Sequence, residues 1–481
     1  MSVPVASNLR ATTAAATSAV GFLVVLEFAS GVLQGWLPPL LPSIVQQYGI
    51  TAADANWVNG VYLLSTAVCL PLIAKLGDVY GHRRLLVVAA CLVTAGAVLV
   101  ALAPSFGVLL AGRALQGPLM AFLPLEYAIL RERTGERAGR AIGLLLGALA
   151  VGGSLAFLLA GVLREHISLA ATLWVPVVVL AVTVPVAALL VPETTVRTPG
   201  RVDWVGGALL GGGLALLLAG VGNGGRWGWG DARTVAAVVG GALLLVAWVA
   251  AARRVEHPLV DLGLVVRGGL GLPILAGLFL GAELFGSQTA GALFLGLPKG
   301  AAAGLGLTSG QLGFVLLAFG VAASVGAVAA ARLVERFGVR VVLAGGALCT
   351  AAGYLLTAAA HAAVGPFVVW QVLVGFGNGL TLAVLSALVV ARAPVDAVGI
   401  SSGLLNISRT VGGAVSASVF VAVMSALVVR PAGSARPVTT EAGYVAVWLV
   451  CAALAVAVAG TALLMDRRVA GHEPLTAPVA A

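Results

Sequence analysis

Polar punctuation divides the chain into long apolar segments joined by short connectors. A helix needs about 20 mostly apolar residues to cross a bilayer. Read against that length, the apolar segments predict spans at about 18–45, 54–74, 85–103, 107–130, 140–163, 168–191, 203–222, 233–252, 268–297, 308–331, 340–360, 364–391, 398–428 and 442–465. Fourteen is an even number, so both termini are expected on one side. No small-residue cleavage site follows the first apolar stretch, and span 1 is expected to stay in the mature chain.

Composition excludes a soluble protein. Of 481 residues, 60% are hydrophobic and 9% charged, with a mean hydropathy of +1.08. A soluble domain carries about 25% charged residues, and so little charge cannot cover the surface of a water-soluble chain of this length. The net charge of +9 is scattered among connectors with no run of five like charges, which argues against nucleic acid as a partner. The four cysteines lie singly in apolar segments, without metal or disulfide spacing. Only Lys75 and Lys299 among 27 basic residues are lysine, a bias of a GC-rich bacterial coding sequence.

The basic connectors set the expected topology. Those on the N-terminal side carry nineteen basic residues, including Lys75, Arg83, Arg84, Arg133, Arg197, Arg201, Arg267, Arg332, Arg340 and Arg467. The other side carries six: Arg164, Arg226, Arg233, Lys299, Arg430 and Arg436. The positive-inside rule then places both termini in the cytoplasm of a bacterial cell-membrane protein.

An internal repeat organises the spans. Ala74–Arg84 reads AKLGDVYGHRR and Ala331–Arg340 reads ARLVERFGVR, so Asp78 aligns with Glu335, Gly81 with Gly338 and Arg83 with Arg340. The offset of 257 residues exceeds a six-helix half by about two helices. The expected division is a tail over 1–17, a six-helix bundle over 18–191, a two-helix linker hairpin over 192–256, a second bundle over 257–465 and a tail over 466–481. Parallel repeats about an axis along the membrane normal are a transporter plan, with the cargo site between the halves.

Four segments carry a resemblance. Asn56–Leu86 resembles span 2 and the following loop of the major facilitator superfamily, whose loop pattern is roughly G-x-L-a-D-r-x-G-r-r. Leu76, Asp78, Gly81, Arg83 and Arg84 match it, while Ala74, Val79 and His82 depart. GRALQG (Gly112–Gly117) is similar to the span-4 motif, and VDWVG (Val202–Gly206) and GLLNISRTVGG (Gly403–Gly413) are similar to the linker start and span 13 of the fourteen-helix drug:H⁺ antiporters. In span 5, Gly147, Gly152, Gly153 and Gly161 keep part of the antiporter motif, but Ala156 and Phe157 stand where it has Gly-Pro. The resemblance implies the all-α major facilitator fold and a proton-coupled transporter that exports drugs, antibiotics or other hydrophobic or cationic small molecules by alternating access. The missing proline leaves direction open. The alternative is another cargo on the same scaffold, a lipid exported or a nutrient or metabolite imported.

Intramembrane polar residues supply the candidate site. A charge at bilayer depth costs about 2.5–3.5 kcal/mol on insertion scales, so it is paired or functional. Glu27, Ser30, Gly31 and Gln34 share one helical face in span 1, as do Arg113, Gln116, Gly117 and Met120 in span 4 and Glu283, Gly286, Ser287 and Ala290 in span 9. Ser402, Asn406, Arg409, Gly413 and Ser416 form a fourth stripe in span 13. These four stripes are expected to line a central cavity. Glu283 is the first candidate for proton or cation binding, because no basic residue shares its span. Glu27 with Arg113 is the second, either a coupled pair or a structural ion pair. Glu126 falls about 220° around an ideal helix from Arg113 and is read as capping an interface with the Arg131–Arg140 connector. Asp78, Arg83 and Arg84, with Glu335 and Arg340 in the repeat, are expected to form a cytoplasmic latch between halves, or only to set topology. Asp203 is read as a helix N-cap, and Trp227 and Trp229 as interfacial anchors.

Other classes find no support. Neither lysine stands in a Gly-Lys-Ser/Thr phosphate loop, which excludes an ATP-driven pump. Gly399–Gly403 spells the G-x-S-x-G of hydrolases, but at the start of a membrane helix rather than in a strand–turn–helix. The expectation is a non-enzymatic monomer in a lipid bilayer, with no cofactor beyond the coupling proton.

Overall fold

A computed structural model of the chain describes residues 4–134, 138–194, 202–255, 258, 269–298, 304–392, 398–429 and 438–465. Arg137, Arg197, Arg201, Arg267, Lys299, Arg430, Arg436 and the tail over 466–481 lie outside these residues. Fourteen described helices are long and apolar enough to cross a membrane. Spans 1 to 7 are Val20–Tyr48, Ala52–Tyr80, His82–Leu102, Phe106–Leu130, Gly143–His166, Leu169–Leu190 and Trp204–Gly225. Spans 8 to 14 are Ala232–Ala252, Gly271–Gly296, Ser309–Phe337, Val339–Ala359, Val364–Arg392, Ser401–Ala426 and Glu441–Leu464. The all-α membrane architecture is as expected. The first helix begins earlier, at Pro4, and a two-residue antiparallel pairing of Val428–Val429 with Val438–Thr439 joins spans 13 and 14.

Caps and breaks follow local chemistry. Thr51 caps span 2 and Thr308 caps span 10 in reciprocal capping boxes with Asp54 and Gln311. Asp203 Oδ1 accepts from the Gly206 N–H at 2.7 Å and caps span 7. Spans 2 and 3 meet at Gly81 (φ +110°), and spans 10 and 11 at Gly338 (φ +81°). A single glycine thus ends one helix and begins the next, in backbone that L side chains avoid. Prolines tighten two of the described spans. Pro38 and Pro39 set a 3₁₀ turn in span 1, and Pro118 sets another, Gly117–Ala121, in span 4.

Packing repeats across the two sets of six. Span 1 packs on 5 and 6, span 2 on 4, and span 3 on 4 and 6; correspondingly span 9 packs on 13 and 14, span 10 on 12, and span 11 on 12 and 14. The sets join through 2 against 13 and 5 against 10, contacts that exchange under the same correspondence. Spans 7 and 8 pack on each other, and span 7 lies along 2 and 13. Small residues allow the close approaches: a Cβ on Gly152 would strike the Phe28 carbonyl of span 1, and one on Gly412 the Leu278 carbonyl of span 9.

The join is one-sided. Near Thr308, Gly161 abuts Ser309, Gly313 abuts Phe157 and Leu158, and the Gly310 N–H donates to Glu165 Oε1 at 3.0 Å. Asn59 Nδ2 donates to Thr289 Oγ1 at 3.1 Å, and Gly60 lies against Ala417. Toward Gly81 and Gly338 the same faces are bare. Gly143 and Gly147 continue the face of span 5 that carries Gly161, yet nothing would touch a Cβ there. Ser324 and Ala327, on the matching face of span 10, are exposed. The two sets close at the Thr51/Thr308 end and part at the Gly81/Gly338 end.

Candidate functional site

Span 9 holds Glu283 in the interior of the second set. Its residue is 1% exposed, and both carboxyl oxygens lack a hydrogen-bond partner. Tyr354 of span 11 and Asn378 of span 12 are the polar side chains facing it. The Tyr354 hydroxyl donates to Ser287 Oγ at 2.8 Å and lies 3.4 Å from the Glu283 carbonyl, while neither end of the Asn378 amide is bonded. A buried carboxyl beside an unbonded amide forfeits hydration without recovering it, a loss of about 1–3 kcal/mol per unsatisfied group. Groups kept in the membrane at that cost mark sites of function.

In the first set, Glu27 does not pair with Arg113. Its carboxyl faces that of Glu126, both residues being 0% exposed and outside hydrogen-bond geometry. Arg113 is satisfied elsewhere: Nε donates to the Val58 carbonyl at 3.0 Å, a guanidinium N–H donates to Gln116 Oε1, and the Tyr62 ring lies 4.3 Å from Cζ. It also ends the helix Phe106–Leu115, where a cation favours the carbonyl pole. The interface-cap reading of Glu126 fails because span 4 is not an ideal helix. Five residues of 3₁₀, Gly117–Ala121, turn about 120° each instead of about 100°, adding about 100°. Glu126 therefore comes round to within about 40° of the Arg113 face and turns inward.

The polar stripes mostly join helices instead of lining a cavity. Gly31 packs on Leu149 and Gly153, Gly286 on Phe420 and Ser416, and Gly413 on Leu63 and Phe285. Gln34 Nε2 donates to Ser30 Oγ at 3.2 Å. Arg409 is the exception. Surrounded by protein yet partly accessible, it donates from one guanidinium nitrogen to Asn406 Oδ1 at 3.2 Å and lies 6.0 Å from the Phe285 ring. Its Nε is buried without a partner. A groove of about 380 Å³ between spans 2, 4 and 7, lined by Val61, Leu64, Val68, Ala114 and Gly211, carries no charged group.

The Gly81 turn is latched within its own half. Glu193, after span 6, accepts from the Arg83 N–H at 3.0 Å and lies 3.9 Å from Arg84. His82 bridges Asp78 at 3.2 Å and Thr194 Oγ1 at 2.9 Å, and the Arg83 guanidinium donates to the Ala188 carbonyl. Among the described contacts, Asp78, Arg83 and Arg84 do not reach the other half in this conformation. Glu335 is exposed at the Gly338 turn, and Arg340 Nε is unpartnered. Gly399–Gly403 lie in the first turns of the helix Val398–Ala426, so no nucleophile elbow forms there.

Comparison with known proteins identifies the family. The model of the Major Facilitator Superfamily matches residues 23–296 and 278–479. The chain belongs to the major facilitator superfamily. The cephamycin export protein of Amycolatopsis lactamdurans is 34% identical over 394 residues, covering 80% of each chain. The tetracenomycin C resistance and export protein of Streptomyces glaucescens is 29% identical over 394 residues, 80% of this chain and 72% of that one. The puromycin resistance protein of Streptomyces alboniger is 31% identical over 392 residues, 78% and 75% respectively. Among solved structures, a POT family transporter superposes with a TM-score of 0.66 at 14% identity, covering 95% of this chain and 99% of that one. A nucleoside transporter gives 0.64 at 13% identity, covering 93% and 100%. At such identity these two share the fold alone.

As a major facilitator protein, the chain shows what sequence reasoning missed. Tyr354, Asn378 and Glu193, together with Glu126 in a role other than the cap read for it, complete the polar sites, each from a different span or loop than its partner. Asn378, a lone amide in the apolar GFGNGL of span 12, was the one legible signal. The others had no local pattern.

Proposed function

We propose that this protein exports small molecules of the antibiotic or drug class across the bacterial cell membrane by alternating access, driven by protons moving inward. The observation that carries the coupling is Glu283: a carboxyl closed off from water, with no basic partner among the described residues, beside a hydroxyl and an amide able to serve either protonation state. The export direction is supported by the relatives, whose names describe export of or resistance to cephamycin, tetracenomycin C and puromycin. Close packing in span 5 supports it too. Gly152, Gly161 and Ala156 keep tight approaches to spans 1 and 10 without the Gly-Pro pair.

The excess of basic residues at the Gly81/Gly338 end makes that end cytoplasmic. The parted faces of spans 5 and 10 then describe a carrier open to the cytoplasm and closed outside, ready to take cargo from within. A membrane potential contributes about 2.3 kcal/mol per charge per 100 mV to each inward proton, ample to drive exchange. No cofactor and no ATP enter this cycle. The test is transport of a cephamycin and of uncharged drugs by the purified protein in proteoliposomes under an imposed pH gradient. Accumulation that collapses with a protonophore supports the reading. Movement of all of them indifferent to the gradient, or none at all, rejects it.

A further inference from the structure

Four of the charged side chains described above are closed over. Glu27, Glu126, Glu283 and Arg113 are 0%, 0%, 1% and 3% exposed. Arg409 is not, and it sits on the open side of the molecule, one turn before Gly413, where span 13 meets Leu63 of span 2 and Phe285 of span 9. Val411, which packs with Ala67, Leu210 and Leu214 toward span 7, lies about 200° around the helix from it. The side chain therefore points away from the linker and lies against Gly277 and Phe285 of span 9, one turn from the contact of Gly413 with Leu63 of span 2.

We propose that Arg409 recognises an anionic group on the cargo, so that the exported molecule carries a carboxylate on an apolar, ring-bearing body. This rests on the export reading above and names its substrate class.

Three observations support the inference. First, the charge is uncompensated. No carboxylate lies within ion-pair distance of Arg409 among the described residues; Asn406 supplies one bond, and Nε stays buried and unpartnered. Arg113 shows the contrast, its donors taken by a carbonyl and an amide and its face by Tyr62. Second, the acids that would attract a cation are turned away: Glu283 faces Tyr354 and Asn378, and Glu27 faces Glu126. Of the five intramembrane charges named here, the partly accessible one is positive, which repels cations and admits anions. Third, a guanidinium fork binds a carboxylate through two parallel N–H bonds, and Phe285 beside it offers a flat apolar surface for a ring.

The test uses the full-length protein in nanodiscs of zwitterionic lipid, titrated with pyrenebutyrate, its methyl ester and a pyrene bearing a trimethylammonium group. The acid is expected to bind about tenfold or more tighter than the ester, and the cation weakest. Arg409→Gln is expected to erase the preference for the acid while leaving ester binding intact, which also shows that the variant is folded. Arg409→Lys keeps the charge without the fork and is expected to fall between. Equal affinity for acid and ester in the unmodified protein overturns the inference, as does an acid preference that survives in Arg409→Gln. Loss of acid binding on exchange into phosphatidylglycerol means that a lipid phosphate occupies Arg409, and also overturns it. Transport of the same probes in proteoliposomes separates the two readings. If the ester or the cation moves and the acid does not, only the charge assignment fails; if none moves, the export reading fails with it.

Discussion

The two six-helix sets share one packing plan and differ in how they treat their polar groups. In the first set the arginine and the tight turn are satisfied, although the acid pair, Asn56 Oδ1 and the Tyr62 hydroxyl are not. Arg113 is enclosed by Val58, Gln116 and Tyr62, and the Gly81 turn is tied to Glu193 and Thr194. In the second set the arginine and the matching turn are left unfinished. Glu283 and Asn378 face each other unbonded, Arg409 has one bond, and nothing would meet a Cβ at Gly338. The comparison teaches that a duplicated scaffold can divide labour. The satisfied half holds its shape, and the unsatisfied half keeps groups free for a proton and a cargo.

The sharpest way to break this comparison is to remove each arginine in turn. Arg113→Met strands the Gln116 amide oxygen in a buried place and removes the cation from the Tyr62 ring, for an expected loss of about 1–3 kcal/mol. Arg409→Met is expected to change stability by less than about 1 kcal/mol, because it gives up one bond and an unpaired charge. Thermal unfolding in one detergent measures both, and equal losses would erase the distinction between the halves.

Next come the two turns. Gly338→Ala must force positive φ on an L residue, about 1–3 kcal/mol. Gly81→Ala meets that strain and in addition places its Cβ 2.9 Å from the Glu193 carboxyl, so it should cost more. The same unfolding measurement ranks them; a reversed order would deny the latch at Gly81. Smallest is Tyr354→Phe, which removes the 2.8 Å bond to Ser287 and is expected to cost about 1 kcal/mol or less. Its transport should fall by more than so small a change in stability explains, since the hydroxyl faces Glu283.

The spans and the repeat were legible because a bilayer imposes a length on every crossing helix, and because the tight turns after spans 2 and 10 each need a glycine with positive φ. Asp78/Glu335 and Gly81/Gly338 can be aligned by eye, and Asp203 announces its helix start. Partners were not legible. Polar stripes say which residues share a face, but not which neighbour that face meets. Span 4 shows the physical reason. One proline at 118 tightens a single turn, rotates everything after it by about 100°, and carries Glu126 from the supposed surface to the side of Glu27. An ideal helix drawn through Arg113 and Glu126 cannot contain that rotation. The reading of Glu27 as the partner of Arg113 failed for a related reason: a carbonyl, an amide oxygen and a ring face near at hand satisfied the guanidinium first.

The central claim is that Glu283 carries the coupling proton. It is tested most directly by comparing Glu283→Gln with the unmodified protein in proteoliposomes, in two modes on the same preparation. One mode is uphill accumulation of a cephamycin, the carboxylate-bearing cargo class named for a relative, under a pH gradient, and the other is gradient-free exchange of labelled for unlabelled cephamycin. Glu283→Gln is expected to lose accumulation and retain exchange, because cargo still binds and the halves still rock while no proton is carried. Accumulation at the unmodified level in Glu283→Gln would contradict it.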